Sequence, residues 1–102
     1  MSNEDIDNEF RRMADTFIDL ANKHADTINP ENVSMALLFA ASRYNAFIVA
    51  SHSENEQQFE AERERAHEFF STEYARMFNE NFDDYKKVFD ESAKYEHLVK
   101  KH

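Results

Sequence analysis

Apolar residues recur at steps of three and four through the first quarter of the chain, from Ile6 to Ile28. This spacing places their side chains on one face of a helix. Ser2, followed three residues later by Asp5, resembles a capping box at the start of that helix. The pattern therefore predicts a first helix over about 4–27.

The second segment is apolar on almost every side. Asn29 followed by Pro30 is a common helix start, and between Val33 and Ala50 only four residues are clearly polar. The sequence predicts a second helix over about 30–51. A helix this apolar must be covered on most of its sides. We therefore expect it at the centre of a bundle, or against a second copy of the chain in a homodimer.

The remaining apolar positions form two stripes. The first runs from Phe59 to Met77 behind a capping box at Ser53 and Glu56, and it predicts a third helix over about 54–79. The second, from Phe82 to Val99, points in another direction on the helical wheel. We therefore expect a break within 79–84 and a fourth helix over about 82–99. The alternative is one long bent helix, and neither a repeat nor a low-complexity linker is evident.

Together these segments predict an all-α fold in a single domain, residues 1–102. Short connections favour four mostly antiparallel helices packed as a bundle, with helix 2 central. The aromatic residues should supply most of the core. We expect five phenylalanines to be mostly buried: Phe17, Phe39, Phe47, Phe70 and Phe89.

Composition removes several classes of function. The chain of 102 residues contains no Cys, no Gly and one Pro. This excludes disulfides, thiol catalysis and every Gly-rich phosphate loop. The net charge of −9 opposes binding to nucleic acid or to anionic membranes. The acidic first residues lack the positive region of a signal peptide, so we expect a cytoplasmic protein.

Helix 2 approaches the length of a membrane span, so a transmembrane helix is an alternative interpretation of this segment. Arg43 and Asn45 lie near its middle, and no basic residues bracket the apolar run. A charged side chain at the bilayer centre is costly. We therefore expect no membrane partner.

The histidines raise the question of a metal site. Glu64 and His67 match the Glu-x-x-His pair of di-iron helical bundles, but a second such pair is missing from the sequence. Without Cys, a closed site is hard to assemble from local motifs. We expect no metal and no cofactor.

The candidate contact residues, for a ligand or a partner, are Arg43, Tyr44, Asn45 and His24. The first three form a polar cluster within apolar helix 2, and His24 lies on the apolar stripe of helix 1. Arg43 could bind an anionic ligand or a partner's carboxylate. Alternatively, it extends its charge to solvent or pairs with an acid of helix 1 or 3. A His on an apolar face is usually a hydrogen-bonded structural residue.

Two stretches carry a family resemblance: residues 14–22, ADTFIDLAN, and residues 40–51, AASRYNAFIVAS. They resemble the signature stretches of a family of short acidic bacterial proteins known only as a domain of unknown function. The likeness extends over nearly the whole chain, including Phe82 to Tyr85. It implies a bacterial, cytoplasmic protein, and it assigns no activity to any residue.

These observations favour a non-enzymatic protein-interaction or regulatory module, because no catalytic constellation is apparent. Two alternatives stay open. One is an acidic mimic of nucleic-acid charge that binds basic proteins, using the glutamates of 54–64. The other is a ligand-binding or enzymatic bundle that uses the polar cluster of helix 2.

Overall fold

A computed structural model describes residues 2–91 of the chain, and the side chains of residues 2–89. Within this range the chain forms four helices: α1 (Asn3–Ala25), α2 (Pro30–Ser51), α3 (Glu56–Ala61) and α4 (Arg63–Glu91). No strand occurs among the described residues. The all-α prediction is therefore confirmed.

The first two helices begin at the predicted side chains. Ser2 Oγ accepts a hydrogen bond from the Asp5 amide at 3.2 Å, which satisfies one of the free N–H groups at the start of α1. Asn29 Oδ1 accepts from the Glu31 amide at 2.8 Å, and Pro30 takes the first helical position of α2. Both helices lie close to their predicted ranges.

The start of α3 differs from the prediction. Ser53 does not cap it, because its hydroxyl donates to the Val49 carbonyl of the preceding helix at 2.9 Å. Asn55 is the N-cap, and its Oδ1 accepts from the Gln58 amide at 2.8 Å. Gln58 Oε1 in turn accepts from the Glu54 amide at 2.7 Å, so the two side chains fix the turn reciprocally.

The predicted break within 79–84 is wrong. A turn at Glu62, which keeps right-handed helical dihedral angles, separates α3 from α4 instead. The α4 helix then continues without interruption through residues 79–84. The alternative of one continuous helix holds for this segment. The rest of the predicted fourth helix, residues 92–99, lies outside the described residues.

Phe78 explains why α4 needs no break. Its ring lies 5.9 Å from that of Tyr74 and 5.8 Å from that of Phe82, between centroids. Steps of four residues rotate an apolar stripe by about 40° each. Tyr74, Phe78 and Phe82 therefore carry the apolar face gradually from the direction of the first stripe to that of the second.

Inter-residue contacts divide the chain into two units, residues 1–48 and 49–102. Contacts between helices are sparse, and no described residue is buried. The prediction of a phenylalanine core is therefore wrong for the single chain: Phe17, Phe39, Phe47 and Phe89 are 57–64% exposed, and Phe70 is half-buried. The physical reason is that the helices described here make too few contacts with one another to cover these side chains.

Candidate interaction surface

A row of four side chains projects from α2 into solvent. Its members, Met35, Phe39, Arg43 and Phe47, are spaced by four residues, and we call them the α2 ridge. The exposed fractions are 63% for Met35, 64% for Phe39 and 58% for Phe47. Residues four apart form the ridges by which helices pack into one another. The α2 ridge therefore has the form of a helix-packing element that remains exposed among the described residues.

Small residues flank the α2 ridge on both sides. Ala36 and Ala40 belong to the adjacent row on one side, and Ser42, Ala46 and Ala50 to the row on the other. Small side chains leave grooves beside a ridge, and a facing ridge can enter them. The Ser42 hydroxyl is satisfied locally, because it donates to the Phe39 carbonyl at 2.8 Å. The ridge and its grooves thus form one surface with few polar groups that need a hydrogen-bond partner.

Arg43 is the only charged member of the α2 ridge. It is exposed, and it makes no ion pair or side-chain hydrogen bond with any residue that the structure describes. Arg63 and Arg76 differ in this respect, because each donates hydrogen bonds to the glutamate three residues earlier in the chain. Of the alternatives given above, pairing of Arg43 with an acid of helix 1 is not seen among the described residues.

The other predicted contact residues point elsewhere. Tyr44 is 62% exposed, and its ring packs 5.8 Å from that of Phe47, between centroids. Asn45 is half-buried, about 200° around the helix from Arg43. His24 is exposed in the last turn of α1, where its carbonyl accepts from the Ile28 amide at 2.9 Å. Among the described residues, no hydrogen bond joins these four side chains into one site.

The opposite side of α2 is less exposed. Leu37 and Ile48 are each 37% exposed, and Val33 and Val49 are half-buried. Large apolar side chains therefore surround the whole circumference of the helix, with the α2 ridge on its most exposed side. By length and composition alone α2 could cross a membrane. The core helix of a soluble protein and a signal sequence have similar length and composition, so this finding is weak evidence for a membrane span.

A second apolar surface lies on α4, and a short repeat underlies it. Residues 73–79, EYARMFN, match residues 84–90, DYKKVFD, in the order acid, Tyr, any residue, base, apolar, Phe. The spacing of 11 residues is close to three helical turns, so equivalent residues share one side about 16 Å apart. Corresponding ion pairs also recur, Arg76–Glu73 at 2.7 Å and Lys87–Asp84 at 3.8 Å. This repeat was not predicted from the sequence, because the break expected within 79–84 would separate its two copies.

Charged side chains around the start of α4 pair with one another. Arg63 bonds Glu60 through two nitrogens, and Arg65 lies 3.6 Å from Glu62. The hydrogen bond from Arg63 lowers the pKa of the Glu60 carboxyl below its ordinary 4.5. The glutamates of 54–64 are therefore partly neutralised, and the turn at Glu62 interrupts their row. No group of three or more metal-binding side chains occurs within residues 2–91.

Comparison with known proteins identifies the family of this chain and assigns no activity to it. A family model described as "Protein of unknown function (DUF3144)" matches residues 10–86. The chain belongs to this family, and the resemblance noted in the sequence is confirmed at that level. No curated protein and no solved structure matches the chain.

Proposed function

We propose that this member of the DUF3144 family is a protein-interaction module, in which α2 is the element that a protein partner covers. The observation that carries the proposal is the exposure of the α2 ridge in a chain with no buried residue in its described part. Contiguous exposed apolar surface on a soluble protein usually marks a contact.

Helix energetics support this proposal. Most helices in proteins are stabilised by packing of an apolar face, and intrinsic propensity alone contributes little. The α2 helix contains one acid, Glu31, and one base, Arg43, so it lacks the ion pairs that stabilise an exposed helix. An apolar helix of this kind gains its stability when other side chains cover it.

Ligand binding or catalysis by the polar residues of α2 has less support. Arg43, Tyr44 and Asn45 are consecutive, so they point in directions about 100° apart. Asn45 is half-buried and the other two are exposed, so the polar cluster does not converge on a ligand-sized site. A surface contact made by Arg43 fits this arrangement better than binding by all three.

Site-specific photo-crosslinking in the native host tests the proposal. A photoreactive residue in place of Phe39 should give an adduct with protein. The same residue in place of Arg65, whose side chain is 83% exposed on α4, should give none. Equal crosslinking at both positions, or no protein adduct at position 39, would remove the proposed role of α2.

A further inference from the structure

We infer that the partner of the α2 ridge is a second copy of this chain, packed antiparallel about a two-fold axis. The inference rests on the proposed function and names the protein that covers the α2 ridge. Two observations carry it: the distribution of charge, and the arrangement of Phe39, Arg43 and Glu31 along α2.

Charge favours α2 as the place where two copies meet. The whole chain carries −9, so most faces of two copies repel one another. Residues 30–51 contain one acid and one base, and their net charge is zero. A basic partner protein would be drawn to the acidic helices instead. A neutral apolar face therefore suits a partner with the same face, as a two-fold interface requires.

The position of Arg43 selects the antiparallel arrangement. In a parallel pair the two Arg43 side chains would lie at the same height and repel each other. In an antiparallel pair centred near Leu37, each Arg43 instead lies at the height of the partner's Glu31. These residues are 12 positions apart in one helix, about 18 Å, so they cannot pair within it. The only acid and the only base of α2 thus become complementary across the two-fold axis.

The first experiment measures the mass of the full chain by sedimentation equilibrium over a hundredfold range of concentration. The parent chain should have twice the 12.1 kDa of the monomer. Phe39→Glu should raise the dimer Kd at least about 30-fold, as expected for a central contact. Ala41→Glu, which adds the same charge about 160° away from the ridge residue, should change the Kd much less.

A charge exchange tests the arrangement itself. Arg43→Glu should weaken the dimer about tenfold or more, and adding Glu31→Arg to that variant should restore most of the loss. Equal weakening by the single and the double variant would overturn the antiparallel pairing.

Because the chain lacks cysteine, single introduced cysteines give a test that does not depend on charge. Oxidation should give disulfide-linked dimers from Ala36→Cys, whose two copies lie within about 3 Å of each other along the axis of the proposed pair, and not from Ala41→Cys. Linkage at both positions, or at neither, would overturn the proposed face.

The outcomes separate this inference from the proposed function. Adducts at position 39 with a different protein, together with a monomeric parent, would overturn the second copy and leave the interaction function intact. A monomer without adducts would overturn both proposals. Flotation of the parent chain with phosphatidylethanolamine–phosphatidylglycerol vesicles would also overturn both, since a bilayer would then cover α2.

Discussion

Arg76 Nη2 lies 2.7 Å from Glu73 Oε2, three residues earlier on α4. The same guanidinium also reaches Glu80 Oε1 at 3.0 Å through Nη1, so one side chain links three helical positions. These bonds raise the pKa of Arg76 above its ordinary value. Exposed ion pairs contribute little to stability. Their location is informative, because they lead directly into the segment 79–84, which is helical.

The continuity of α4 predicts the effect of a proline at Asn81. Asn81→Pro removes a helical hydrogen bond and introduces a steric clash, so it should cost about 3 kcal/mol in the free energy of unfolding. Asn81→Ala should preserve or slightly raise helicity, because Ala has the higher propensity. Circular dichroism and urea denaturation measure both effects. If Asn81→Pro were tolerated as well as Asn81→Ala, the chain would have a loop at this position.

The contrast between α2 and α4 shows what the sequence can predict. Asn29 and Pro30 determine the start of α2 through local hydrogen bonding and geometry, so reading them in sequence is enough. The course of α4 depends on Phe78, which belonged to neither predicted stripe. Without it, the stripes seemed to point in separate directions. With it, the Tyr74–Phe78–Phe82 ladder gives one continuous face.

Burial is the property that the sequence could not provide. The pattern correctly marks Phe39 and Phe47 as apolar members of a helix face, and both are exposed in the single chain. Periodicity identifies a face that needs cover, and it does not say whether the same chain covers it. The candidate site shows the same limit, because Arg43, Tyr44 and Asn45 are adjacent in sequence but point in different directions around the helix.

The two candidate caps before α3 should respond differently to mutation. Asn55→Ala removes the side chain that bonds the Gln58 amide, and should cost about 1 kcal/mol in stability of that helix. Ser53→Ala should leave α3 intact, because the Ser53 hydroxyl bonds the Val49 carbonyl instead. Backbone chemical shifts of residues 56–61 report the helicity. Equal losses in the two variants would show that Ser53 also caps α3.

The Glu60 carboxyl should titrate below its ordinary pKa of 4.5, chiefly because Arg63 donates hydrogen bonds to it. When a carboxyl group has a lower pKa in the folded state than in the unfolded state, it stabilises the fold at pH values above the unfolded pKa. This stabilisation is lost as the pH falls through the folded pKa. Carbon-13 NMR of the carboxyl group measures the midpoint, and salt should reduce the shift. In Arg63→Ala the midpoint should move up towards 4.5. An unchanged midpoint in that variant would assign the lowered pKa to another cause.

Thermal stability should depend on protein concentration. When folding requires association, raising the concentration a hundredfold adds about 2.7 kcal/mol to the apparent stability. For two chains of this length together, that corresponds to a rise in Tm of about 5–10 °C. Calorimetry at protein concentrations from about 1 to 100 µM measures this rise in Tm over the hundredfold range. Phe39→Glu should melt lower, with a smaller dependence on concentration, because it places a charge on the α2 ridge. A Tm that stayed constant for the parent chain would mean that its apolar faces are covered within one molecule, and that α2 has no need of a second copy.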